Sequence, residues 1–144
     1  MNKSIRIGGA SGFWGDSYRA TEQLIQDTTL DFIVYDYLAE ITMSIMARAK
    51  AKSPSAGYAT DFIDAVIKPY IKRISTHNTR LISNAGGVNP EKCAEVISEL
   101  VKDLQLNLNV SCITGDDLMS SAQEIKNMNC KEMFSDIKFP ELDK

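Results

Sequence analysis

The chain has 144 residues, 44% hydrophobic and 24% charged, with 19 acidic against 16 basic side chains and a formal net charge of −3. That is the size and make-up of one globular domain able to bury a core, and it argues against a general nucleic-acid binder, which would show a basic face. No stretch approaches the ~20 apolar residues of a membrane-crossing helix, so no membrane span is expected. The basic clusters Arg48–Lys52 and Lys68–Arg73 fall in helical patterns and read as solvated faces.

Met1-Asn2-Lys3-Ser4 leads directly into a strand, with no apolar leader segment, and points to the cytoplasm. Cys93, Cys112 and Cys130 are odd in number, widely spaced and without a Cys-x-x-Cys pair. They fit reduced thiols better than disulfides or a zinc site.

Residues 4–10 predict a short strand that runs into four glycines, Gly8, Gly9, Gly12 and Gly15. A helix follows from Ser17 to about residue 27, with Asp16 or Ser17 at its N-cap. Asp31–Tyr37 is the second strand, and its unbroken apolar middle suits a parallel strand covered on both faces. Leu38–Lys52 is helical, with basic residues gathered in the last turn. The break Ser53–Gly57 precedes a helix from about Thr60 to Ser75 that Pro69 should kink or split.

Thr79–Asn84 is the third strand. Pro90 opens the next helix, which packs through Cys93, Val96, Ile97, Leu100 and Val101. Leu106–Ile113 reads as a fourth strand and Leu118–Asn127 as a further helix. The order β-α-β-α-α-β-α-β-α predicts an α/β fold, a mainly parallel sheet with covering helices and right-handed crossovers. Residues 1–127 form the expected ligand-binding domain. Residues 128–144 lack a clear period and read as an irregular tail.

Ligands of such sheets sit beyond the carboxyl ends of the strands. Four polar loops follow strands here: Gly8–Asp16, Asp36–Glu40, Ser83–Pro90 and Thr114–Asp117. Glycine lets a ligand approach the backbone, and free N–H groups suit an anion such as phosphate. The ligand-binding candidates are therefore Gly8, Gly9, Ser11, Gly12, Trp14, Gly15, Asp16, Asn84, Gly86, Gly87 and Asn89. Trp14 either stacks on the ligand or roofs the core.

Asp36, Glu40, Asp116 and Asp117 are the catalytic candidates. Converging carboxylates can share a proton or hold Mg²⁺ through hard oxygen ligands. Asp36 and Asp116 are the metal candidates. The local alternative is that Asp16 and Asp117 each cap a helix. His77, the only histidine, falls at the opposite end of the sheet, so a Ser-His-Asp or Cys-His arrangement lacks its base.

Gly9-Ala10-Ser11-Gly12-Phe13-Trp14-Gly15 also matches G-x-x-G-x-x-G, with Asp36 21 residues beyond Gly15, where a ribose-binding acid is expected. An NAD(P)-binding oxidoreductase domain is thus an alternative. Against it stand the short preceding strand, an acid that runs directly into a helix, and the lack of a Tyr-x-x-x-Lys pair.

Ile5–Asp16, Asp36–Glu40 with Thr42–Ile45, Gly57–Phe62, Ser83–Pro90 and Thr114–Leu118 together closely resemble the acyclic terpene utilisation (AtuA) family. Glu132–Ser135, with Phe139 and Pro140, resembles a piece that some members carry. The resemblance implies a role in bacterial breakdown of acyclic terpenoids such as citronellol and geraniol, beside the acyl-CoA carboxylase of that pathway. An acyl-CoA-like small molecule is the implied ligand. The resemblance brings no catalytic residues with it. Members are considerably longer, which implies an incomplete domain. Its missing C-terminal half or a partner subunit would complete it, and exposed sheet edge would favour a homo-oligomer. A non-enzymatic subunit that acts only with a partner chain is the third reading.

Overall fold

The computed structural model describes residues 4–26 and 30–138. The chain divides into two compact units, Met1–Ile113 and Thr114–Lys144. In the first, strands β1 (Ile7–Ser11), β2 (Phe32–Tyr35) and β3 (Arg80–Ser83) form a three-stranded parallel sheet in the order β1-β2-β3. Ile7 stands opposite Phe32, and Phe32 opposite Arg80; the β1–β2 register slips between Gly9 and Ser11. Parallel neighbours cannot be joined by a tight turn, so each connection carries helices. These are α1 (Ala20–Leu24) between β1 and β2, then α2 (Glu40–Lys52) and α3 (Lys68–His77) between β2 and β3. Helix α4 (Pro90–Asp103) follows β3. The α/β class expected from the sequence is the class observed.

The two faces of this sheet differ. Gly8 and Ala10, Ile33 and Tyr35 are buried on one side, with Leu81 and Ser83 half-buried beside them. On this side Ile33 is 0% and Tyr35 2% exposed, and both join Ile25, Met46, Val66, Ile67, Ile71 and Ile74 in one core. Burying a side chain the size of Ile33 contributes about 1.5–3 kcal/mol. A Cβ at Gly8 would meet Leu24 at 2.9 Å, so glycine there lets α1 lie close to β1. On the other side Ile7, Gly9, Arg80 and Ile82 are exposed and Phe32 and Val34 only half-buried. The expectation that β2 is covered on both faces is therefore met on one face only.

Pro69 splits its helix, as expected, by a specific route. The turn Phe62–Ile67 is π-helical and passes directly into α3. Proline lacks an N–H and its ring collides with the carbonyl four residues earlier. Widening the preceding turn, so that the Lys68 N–H donates to the Ile63 carbonyl, removes the collision. Asn78 ends α3 in the left-handed conformation (φ 57°), with its N–H on the Ser75 carbonyl.

The fourth predicted strand is corrected. Leu106, Leu108 and Val110 pack on the core while Asn107, Asn109 and Ser111 are exposed, yet the segment joins no ladder among the described residues. Alternation reports which side chains are buried, not whether the backbone finds a partner. Helix α1 is also shorter than expected, opening at Ala20 after Arg19 with no side-chain cap. The end foreseen for it, at residue 27, lies outside the described residues.

The second unit holds a 3₁₀ turn, Met119–Ser121, helix α5 (Ala122–Asn127) and a single antiparallel bridge between Lys131 and Lys138. The Asp117 carboxylate accepts from the Met119 N–H at 2.9 Å, a bond within its own turn, while the N-cap of the 3₁₀ turn is Leu118 and carries no side-chain bond. Among the described residues no helix is long and apolar enough to cross a membrane.

Gly87 has φ +54°, and a Cβ there would collide with Met46 Sδ and stand 2.7 Å from the Gly57 carbonyl oxygen. Gly87→Ala is expected to lower unfolding free energy by about 2–4 kcal/mol through strain and overpacking. A urea unfolding midpoint unchanged from the parent would refute this.

Candidate functional site

The carboxyl ends of β1, β2 and β3 lie side by side because the strands are parallel and in register. The loops leaving them are joined by one side chain. Asn84 Oδ1 accepts from the Tyr37 N–H at 2.7 Å, and Asn84 Nδ2 donates to Asp36 Oδ1 at 2.7 Å. The backbone donor fixes which end of the amide is oxygen. On the β1 side the Asp36 N–H donates to the Ser11 carbonyl, and Ser11 Oγ donates to the Asp36 carbonyl, each at 3.3 Å. Ser11, Asp36 and Asn84 are thus brought together. Asp36 Oδ2 has no partner among the described residues, and Asp36 is exposed. That oxygen is free to accept a hydrogen bond.

The Gly loop closes on itself. Asp16 Oδ2 accepts from the Gly12 N–H at 2.9 Å, so this backbone donor is answered by a carboxylate within the loop. This replaces the expected helix cap at Asp16, because the chain takes three more residues to reach α1. Nothing lies within 4 Å of a Cβ built on Gly15, in the loop, or on Gly9, which lies within β1 opposite Val34 on the exposed face of the sheet. Trp14 roofs the core in part: its Nε1–H donates to Asp61 Oδ1 at 2.6 Å, and its ring packs on the hydrophobic cluster.

Asp61 immediately precedes the π-helical turn, whose first residue, Phe62, meets Tyr35 (centroids 5.2 Å, 71°) and Tyr37 (5.8 Å, 75°) edge-on. The Tyr35 hydroxyl hydrogen-bonds Thr21 Oγ1 at 3.0 Å. Burial pushes the Tyr35 phenol from 10.0 up to about 12. Tyr37 is raised further, by burial first and then by the charge of Asp61. Sequence reasoning did not single out Asp61 or Tyr37 as site residues. The available signal was an acid directly before a proline-bearing helix and an aromatic directly after Asp36.

Other candidates are engaged elsewhere. Asn89 Nδ2 donates to the Pro54 and Ala56 carbonyls (2.9 and 2.7 Å), pinning the 53–57 break. Gly86 lies against Pro90, where a Cβ would come within 2.7 Å of backbone, and Gly87 against Met46. Packing accounts for Gly86, and packing together with a positive φ accounts for Gly87. Glu40 is exposed in the first turn of α2, where an acid suits the helix dipole. Asp116 and Asp117 are exposed and belong to the second unit. Among the described residues no three His, Cys, Asp or Glu side chains are grouped to hold a metal ion. His77 ends α3, at the end of the sheet opposite these loops, with its Nδ1 buried and unpartnered.

The raised phenols have a signed consequence. The folded chain keeps the Tyr35 proton where the unfolded chain loses it, so stability is complete below pH 10.0 and falls as pH rises toward about 12. Tyr35→Phe is expected to flatten this alkaline fall in urea-unfolding free energy. Equal falls in the variant and the parent would contradict it.

A family model matches residues 5–143, described as the acyclic terpene utilisation family protein AtuA. No curated protein and no solved structure matches the chain significantly. The matched span contains the Gly loop, the Asp36–Asn84 clasp and the Asp61–Trp14 pair. The chain belongs to the AtuA family of acyclic terpene utilisation proteins.

Proposed function

We propose that the chain serves acyclic terpenoid catabolism by binding an acyl-CoA-like, phosphate-bearing ligand at the carboxyl edge of its sheet. The observation that carries this reading is the Gly12 N–H holding the Asp16 carboxylate at 2.9 Å. A backbone donor that holds one anion is a seat for another, and the open space beside Gly15 gives a phosphate room to approach. The ligand displaces Asp16, and its acyl end lies toward Asp36, whose unpartnered Oδ2 meets the reacting group. Asn84 is the positioning residue that keeps this carboxylate in place. Trp14, tied to Asp61, borders the loop and reports on it.

The nicotinamide reading draws less support, because one oxygen of Asp36, its ribose-binding acid, is committed to Asn84. The test is a thermal-shift and Trp14-fluorescence titration with a branched acyclic acyl-CoA, free CoA, NADPH and Mg²⁺. Binding to the native state raises the melting temperature. The acyl-CoA is expected to stabilise the protein more than free CoA. Asp16→Ala should strengthen that effect by removing the internal competitor, and Asn84→Ala should weaken it. A response to NADPH alone, or an acyl-CoA response untouched by both substitutions, would refute the assignment.

A further inference from the structure

The sheet has a second, unused surface. Ile7 and Ile82, on its two outer strands, are 63% and 54% exposed, and Ile5 just before β1 is 62% exposed. Between them Phe32 and Val34 of β2 are only half-buried. Parallel sheets are found with both faces covered, because each open face presents rows of branched apolar side chains to water. Near one end of this face stands Arg80, its guanidinium 5.7 Å above the Phe32 ring and without a carboxylate partner among the described residues. At the other end, just past β2, is Asp36.

Cation at the amino end, apolar centre and carboxylate at the carboxyl end match one kind of element. A helix running antiparallel to the strands would set its positive N-terminus beside Asp36 and its negative C-terminus beside Arg80. Size argues against a second copy of this face. Three strands about 4.8 Å apart and about 13 Å long cover on the order of 200 Å² per partner, against roughly 800 Å² per partner in a stable interface. The face alone therefore holds a short helix weakly, and the titration that tests it runs to on the order of millimolar peptide.

We propose that this face is the seat of an amphipathic helix of about three turns, supplied by a partner polypeptide and lying antiparallel to β1, β2 and β3. The proposal shares Asp36 with the ligand reading above, so a ligand held at that carboxylate and the helix N-terminus compete for it. The helix contributes apolar side chains to Ile7, Val34 and Ile82 and places an acid over Arg80.

The test uses two synthetic helical peptides with the same leucine stripe, one ending in glutamate and the other in lysine. Each is titrated into the chain while isoleucine and valine methyl resonances are followed. The glutamate-ended peptide is expected to shift Ile7, Val34 and Ile82 but not the buried Ile33. Arg80→Glu should reverse the preference between peptides by about tenfold, as charge complementarity requires, and Arg80→Gln should abolish it. A paramagnetic tag on the peptide N-terminus should broaden resonances near Asp36. Absence of binding, a preference unaffected by Arg80→Glu, or broadening at the Arg80 end would overturn the proposal. So would concentration-dependent dimerisation that Ile82→Asp abolishes, since a second copy would then cover the face.

Discussion

Strand order is the constraint on which the rest of this structure depends. Three parallel strands follow one another across the sheet in chain order, so successive crossovers of the same hand deliver their helices to the same side. That side becomes the core, with Ile33 and Tyr35 at its centre. The opposite side keeps the apolar residues of a covered sheet without a cover. Reversing the order at any one strand would have distributed helices over both faces and removed the asymmetry.

The same constraint builds the site. Parallel strands place all their outgoing loops at one end, and residues far apart in sequence meet there. Asn84 joins the β2 and β3 loops through a backbone donor and a carboxylate, and Asp61 reaches Trp14 across 47 residues. The aromatic group of Tyr35, Tyr37 and Phe62 lies beneath this edge and ties it to the core. A buried phenol is stable only while it keeps its proton, so the packing that steadies the edge also makes it sensitive to alkali.

Glycine serves two separate purposes in the chain. At Gly8, Gly86 and Gly87 the space a side chain would need is filled by Leu24, Pro90 and Met46. At Gly9 and Gly15 that space is empty. Only the second kind leaves space beside the backbone, and the distinction depends on neighbours that are remote in sequence. The proximity of Gly86 and Gly87 to Asn84 gave no indication of it.

Composition and local pattern determined much of this protein. Alternation and helical spacing placed β1, β2, β3, α2 and α4, and Pro69 marked the break before α3, because each of these signals acts within a few residues. The motifs around Gly8–Asp16, Asp36 and Asn84 marked the carboxyl edge and the family. Tertiary structure alone decided that Leu106–Ile113 packs without pairing, since a ladder needs a partner that periodicity does not encode. It also decided that Asp16 answers Gly12 instead of capping a helix, that Asp61 holds Trp14, and that one face of the sheet is left open. Each of these is a question of which distant group fills a given space, and that is fixed only when the whole chain packs.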